Sequence, residues 1–178
     1  MGTTSGSRWR EAWETLRALA VAVVIALLIR QYVFETYEVK GYSMEPTLLN
    51  HERLLVNKFI YRFTRPQVGQ IIVFQPPLPV HEDFVKRIVA VGGETVYMRD
   101  GRVYVDGHLQ PEPYLPPAWR DHFTMLSGPV VVPKGDVWVL GDHRAASEDS
   151  RYFGPVPISS IRGEAILVWW PPQDARVL

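Results

Sequence analysis

Cysteine is absent from the 178 residues, which excludes disulfides and thiolate metal sites. That absence leaves the compartment open, because many extracytoplasmic chains also manage without disulfides. Net charge is missing too. Nineteen Lys and Arg balance nineteen Asp and Glu, so no global field favours nucleic acid, and none is expected as a partner. The histidines, His51, His81, His108, His122 and His143, lack metal-ligand spacing such as His-Glu-x-x-His. His81-Glu82-Asp83 carries donors for a metal but reads as a solvated loop, so neither metal nor cofactor is expected. No internal repeat is visible. The length suits one domain with at most a small elaboration, and a hydrophobic share of 47% suffices for a packed core.

Long apolar runs are also scarce. The longest, Ala18 to Ile29, is 12 residues of Ala, Val, Leu and Ile, whereas a membrane span needs about 20. Arg17 and Arg30 bracket it, and both side chains can reach headgroups. Counting from Leu16 to Phe34 gives 19 residues, with Trp9, Trp13, Tyr32 and Tyr37 as interfacial anchors. A cleaved secretory signal would place small residues just after the apolar core. Here Arg30-Gln31-Tyr32-Val33-Phe34 follows, so a retained transmembrane anchor over 16–34 is expected. Arg8, Arg10 and Arg17 precede it while Arg30 and Lys40 follow, a bias for a cytoplasmic N-terminus and an external folded part.

Beyond the anchor the pattern is β. Glu52–Lys58, Gln70–Phe74, Phe84–Val91, Asp136–Leu140 and Ala165–Trp170 are short β-rich runs, mostly bounded by Gly or Pro. Thr95–Arg99 and Arg102–Val105 flank Asp100-Gly101, a strong hairpin signal. Fifteen prolines oppose long helices, and the proline-rich stretch 111–117 reads as an extended surface loop. Trp169 and Trp170 fall in an alternating run that favours core packing over contact with a membrane surface. Short strands with tight turns point to a mainly β fold, an antiparallel barrel-like body.

Three polar clusters carry possible chemistry. Ser43 lies between Gly41 and Pro46, hence in a turn, where a serine commonly caps backbone groups. It becomes a nucleophile only if another group takes its proton. Lys86 sits inside Phe84–Val91. Period-two alternation puts it with Phe84, Ile88 and Ala90 on one face, and Val85, Arg87, Val89 and Val91 on the other. A strand-edge lysine that discourages aggregation is the ordinary explanation. A base is the other, and its demand can be sized. An unperturbed lysine is neutral in about one molecule in 2,500 at pH 7, and lowering it to ~8 takes about 3 kcal/mol. The third cluster, Asp142, His143, Arg144, Ser147, Glu148, Asp149, Ser150 and Arg151, alternates in sign. Asp149 with Arg144 or Arg151 could form a fixed ion pair there.

Ser43-Met44-Glu45-Pro46-Thr47-Leu48, Lys86 to Glu94 and Gly141 to Arg151, in that order behind an apolar segment, resemble the type I signal peptidases of bacteria. The resemblance runs from about residue 16 to the C-terminus. It implies a membrane-anchored serine endopeptidase that removes signal peptides from exported preproteins after small residues at −1 and −3. It also implies Ser43 as nucleophile and Lys86 as general base, with Ser147 orienting the lysine. Asp149 and Arg151 fall on a supporting ion pair, and Asp142 and Arg144 on further scaffold. Tyr37, Val39, Met44, Phe84 and Val85 are the expected substrate-pocket residues. The organisation expected is a short cytoplasmic segment (1–15), the anchor (16–34) and an extracytoplasmic peptidase domain (35–178), single-pass in the bacterial cytoplasmic membrane. A small inserted hairpin region is placed at about 95–133.

Some positions depart from the family pattern. Gly41 stands where some members carry a serine that donates to the oxyanion, leaving backbone N–H groups, that of Ser43 first, for the role. His143, Ala145 and Ala146 replace the usual Asn, Asp and Asn, and Gln70 a usual Asp. Rival readings are a self-cleaving repressor, for which the N-terminus leaves no DNA-binding domain, a pilin-type Ser-Lys peptidase, and a silent membrane-anchored scaffold. The endoplasmic-reticulum branch puts histidine where Lys86 stands.

Overall fold

Short β-branched runs broken by glycine and proline bury their apolar side chains by pairing as strands rather than by coiling. The computed structural model describes residues 5–120 and 128–178. Residues 1–4 of the expected N-terminal segment, and His122 with 121–127 of the expected insertion, lie outside the described residues.

Helix α1 (Ser5–Tyr32) runs 28 residues and leads into strand β1 (Phe34–Glu38). The expected transmembrane anchor over 16–34 is corrected here. The helix starts earlier and stops before Phe34, and among the described residues no helix is long and apolar enough to cross a membrane. The physical reason is length. Twelve apolar residues make about 18 Å of helix, against a hydrocarbon core of about 30 Å. Arg10, Glu11, Glu14 and Arg17 charge the turns before them. Leu16, Leu19, Val21, Ile25 and Leu27 are nonetheless exposed.

Among the described residues eleven further strands follow: β2 (Arg53–Asn57), β3 (Ile71–Phe74), β4 (Phe84–Val91), β5 (Thr95–Arg99), β6 (Arg102–Val105), β7 (His108–Leu109), β8 (Val130–Val131), β9 (Asp136–Leu140), β10 (Val156–Pro157), β11 (Ile161–Trp170) and β12 (Arg176–Val177). Two short helices, α2 (Pro117–Arg120) and α3 (Ser150–Phe153), complete the described elements of more than a turn's interest. The main sheet runs β1-β2-β11-β3-β4-β9-β10, antiparallel throughout, with β12 on β11. Register shifts within β11 and between Ile88 and Ala90 bend the strands, so the sheet curls. Its edges β1 and β10 are not joined, so the barrel-like body expected is a curled open sheet rather than a closed barrel.

After β4 the chain leaves this sheet, builds a second of order β7-β6-β5-β8, and returns at β9. The Asp100-Gly101 turn joins β5 to β6 with both residues at positive φ, 49° and 72°, the conformation a two-residue hairpin needs. Val96, Met98, Val103 and Val105 of this sheet pack on Val89, Ala90, Trp138 and Leu140 of the main one. Each fully buried aliphatic side chain stabilises the fold by about 1.5–3 kcal/mol. The shift at 88–90 also corrects the simple alternation along β4. Ala90 joins Val89 in this cluster, while Val91 packs with Ile88 and Phe84. Trp169 and Trp170, expected in the core, are 36% and 46% exposed, because a second shift between Val168 and Trp170 ends the alternation of β11.

Candidate active site

Ser43 follows Gly41, whose φ of +90° turns the chain after β1 and whose N–H donates to Asn50 Oδ1 at 2.9 Å. Buried Met44 and Leu48 pin the turn to the core cluster of Val39, Leu54 and Val73. Lys86 rises from β4, a strand held by β3 at Ile72, so its backbone is fixed by ladder bonds. The two side chains meet. Lys86 Nζ donates to Ser43 Oγ at 2.8 Å and to Val85 O at 3.1 Å, and lies 5.2 Å from the centre of the Phe84 ring.

Only 4% of Lys86 is exposed. Burial pushes its amine down to about 8; Asp149, Glu148 and Asp142 pull the other way and Arg151 adds to the fall. The ~3 kcal/mol demand set out from the sequence is thus met by desolvation, the ammonium being disfavoured where water is excluded.

The loop after β9 stands behind this pair. Asp149 is fully buried and accepts from Arg151 Nε at 2.7 Å, from Arg151 Nη2 at 2.8 Å, from Gly141 N at 3.0 Å and from Ser147 Oγ at 2.7 Å. The bidentate fork is the geometry in which a carboxylate and a guanidinium bind best. The Ser147 hydroxyl, expected beside the lysine amine, is therefore directed at Asp149. Lys86 Nζ has Ser43 and Val85 O as its hydrogen-bond acceptors among the described residues. Ser147 still packs near the pair through Gly141. A Cβ on Gly141 would fall within 2.5 Å of Ser43 O and closer still to Ser147 Oγ. His143 N donates to Ser43 O at 3.0 Å, stitching loop to turn.

Asp142 and Arg144 do not pair with each other. Asp142 takes a bidentate grip from Arg87, 2.9 Å from Nε and 2.7 Å from Nη2, and Arg144 pairs with Glu112 of the proline-rich loop. Arg87 and Glu112 had no site role in the sequence reading. The signals available were a cation next to Lys86 on an otherwise apolar strand, and a lone acid within 111–117.

Ser43 and Lys86 open onto a cleft of about 470 Å³. Tyr37, Val39, Met44, Phe84 and Val85, all five expected pocket residues, line it together with Thr36, Glu82, Asp83 and Glu148. Burial, with Glu35 nearby, pushes the Tyr37 phenol up to about 12, so that it stays neutral. One wall is the free side of edge strand β1; the other is the Phe84–Lys86 end of β4, which β9 does not reach because its pairing starts at Arg87. Among the described residues no cluster of His, Cys, Asp and Glu could hold a metal ion.

The family model described as signal peptidase, peptidase S26, matches residues 12–170. Signal peptidase I of Bacillus amyloliquefaciens is 39% identical over 172 residues, covering 92% of this chain and 88% of that protein. Signal peptidase I S of Bacillus subtilis (strain 168) is 38% identical over 187 residues, covering 99% and 98%. A solved signal peptidase I from Enterococcus faecalis V583 shares 36% identity with a TM-score of 0.49, covering 57% of this chain and 97% of that one.

Proposed function

This chain belongs to the signal peptidase family, peptidase S26, and we propose that it cleaves N-terminal signal peptides from exported preproteins by a Ser43–Lys86 mechanism. The observation that carries the reading is Lys86 Nζ 2.8 Å from Ser43 Oγ, with the amine brought down to about 8 by burial. Neutral Lys86 takes the Ser43 proton as Oγ attacks the scissile carbonyl. The ammonium so formed protonates the leaving amine, an acyl-enzyme remains on Ser43, and Lys86 then activates water to release it. Negative charge on the carbonyl oxygen falls to backbone N–H groups, that of Ser43 first, since Gly41 has no hydroxyl to offer. Asp149, Arg151, Ser147, Asp142 and Arg144 act behind the pair by fixing the loop that packs on Ser43 O.

A substrate entering between β1 and the end of β4 meets, among the described residues, a side of each strand that no neighbouring strand pairs, which suits an extended strand. Side chains at −1 and −3 would face Tyr37, Val39, Met44, Phe84 and Val85, and small residues are expected at both positions. Helix α1 exposes Leu16, Leu19, Val21, Ile25 and Leu27, an apolar surface that water does not stabilise. We assign it to seating the enzyme in the apolar phase of the bacterial cytoplasmic membrane, with the cleft on the extracytoplasmic side where preproteins emerge.

The test is cleavage by detergent-solubilised protein of a preprotein carrying Ala-x-Ala, with the new N-terminus sequenced. Cutting after the second alanine is expected, and it should stop when either alanine becomes Phe. Cutting that tolerates Phe at both positions would contradict the pocket assignment.

A further inference from the structure

The loop between β7 and α2 is bound to the catalytic loop by buried groups. Gln110 N donates to Val103 O at 2.9 Å, and Leu115 is 1% exposed, so the loop is pinned at both ends to the second sheet and the core. Between these pins Glu112 buries its carboxylate, 8% exposed, and accepts from Arg144 Nη2. Arg144 Nε in turn donates to Gly141 O at 3.0 Å. Tyr114 completes the arrangement. Its hydroxyl donates to Glu112 Oε1 at 3.3 Å, and its ring carries the Arg87 guanidinium 3.9 Å from the centroid. Arg87 holds Asp142 bidentately and is the chain neighbour of Lys86.

We infer that Glu112 and Tyr114 are positioning residues: a strap from the second sheet that sets Gly141-Asp142, and through them Ser43, against Lys86. The inference rests on the peptidase reading above. The close packing makes it specific. Gly141 has no room even for a methyl group against Ser43 O and Ser147, so a displacement of Arg144 or Asp142 passes directly to the nucleophile. Burial of the Glu112 carboxylate is offset by the Arg144 guanidinium and the Tyr114 hydroxyl, so the loop is held where those partners stand. Neither side chain lines the cleft, so neither is expected to touch substrate.

The experiment compares preprotein cleavage by wild type, Tyr114→Leu, Glu112→Gln and the double variant Glu112→Met/Arg144→Met. Rates are taken per folded molecule, with folding followed by circular dichroism. Removing both charges together avoids an orphaned buried cation, so the double variant is expected to fold about as stably as wild type. Its kcat is expected to fall by about 10²-fold, the loss that a misplacement of about 1 Å can cause, with KM changed less than about twofold. The midpoint of the acid limb of the pH profile should move little, because burial, the main cause of the lowered Lys86 value, is left in place. A stable double variant with wild-type kcat would overturn the inference, as would a loss confined to KM, which would place the strap in substrate binding. Should Glu112→Gln fail to fold, Tyr114→Leu, which leaves the ion pair intact, is expected to lose kcat in the same sense, and an unchanged kcat there would count against the strap. An inactive wild type would instead remove the peptidase reading, and the strap with it.

Discussion

Changing the pH titrates Lys86 as the only group of the Ser43 pair with a value brought near neutrality, about 8, by burial. The neutral amine is the form that takes the serine proton. Its share is about one in eleven at pH 7, about one in a hundred at pH 6 and about nine in ten at pH 9. On this basis kcat/KM should rise nearly tenfold per unit from about pH 6 to 7, bend near 8, and gain about 90-fold in all by pH 9. A lysine left in water would keep the rate climbing to about pH 10. Glu148 supplies a second handle. Its charge favours the ammonium, so Glu148→Gln should move the bend to lower pH and raise the rate at neutrality. The assay is initial-rate cleavage of a preprotein across this range, with protein stability checked at each pH. A bend near 10, a flat profile, or a Glu148→Gln bend displaced upward would refute the reasoning.

Three further outcomes are expected. Lys86→Met should abolish cleavage yet stabilise the fold. The folded-state value lies below the unfolded one, so a proton bound below about pH 8 costs the native state up to about 3 kcal/mol, a cost that fades as pH rises towards 10.5. Urea midpoints for wild type and variant should therefore differ at pH 7 and converge at about pH 10. Asp149→Asn should lower stability by about 3–5 kcal/mol, because the buried Arg151 guanidinium loses the carboxylate charge that it holds bidentately. Equilibrium unfolding measures it. Gly141→Ala should cost about 10²-fold in kcat, since the added methyl forces Ser43 O and Ser147 apart, and a kcat within twofold of wild type would show the turn to be slack.

The Ser43–Lys86 pair was legible only through the family resemblance of the two short motifs that hold it; alternation by itself put the lysine on the face of Phe84 and Ile88 and left an edge lysine as the ordinary explanation. From the residues alone Asp149 could pair with Arg144 or Arg151; the family resemblance pointed to Arg151, which the fold places against it. The partners of Asp142 and Arg144 were not, because Arg87 and Glu112 lie 55 and 32 residues away and only the fold selects among the acids and bases available. Ser147 could be placed in the right loop, but the direction of its hydroxyl is decided by the buried Asp149 carboxylate, which outcompetes a more distant amine. Strand β1 was hidden by the apolar residues of Val33-Phe34, read as the tail of an anchor. The shifts at 88–90 and 168–170 are invisible to alternation, because a bulge changes the face without changing residue type.

The central claim, Ser43 activated by Lys86, is tested most directly by cleavage of an Ala-x-Ala preprotein by wild type, Ser43→Ala and Lys86→Ala, each shown to be folded. Cleavage by wild type that vanishes in both variants is the expected result. Activity that survives Lys86→Ala at pH 7 would contradict it and require another group to take the serine proton.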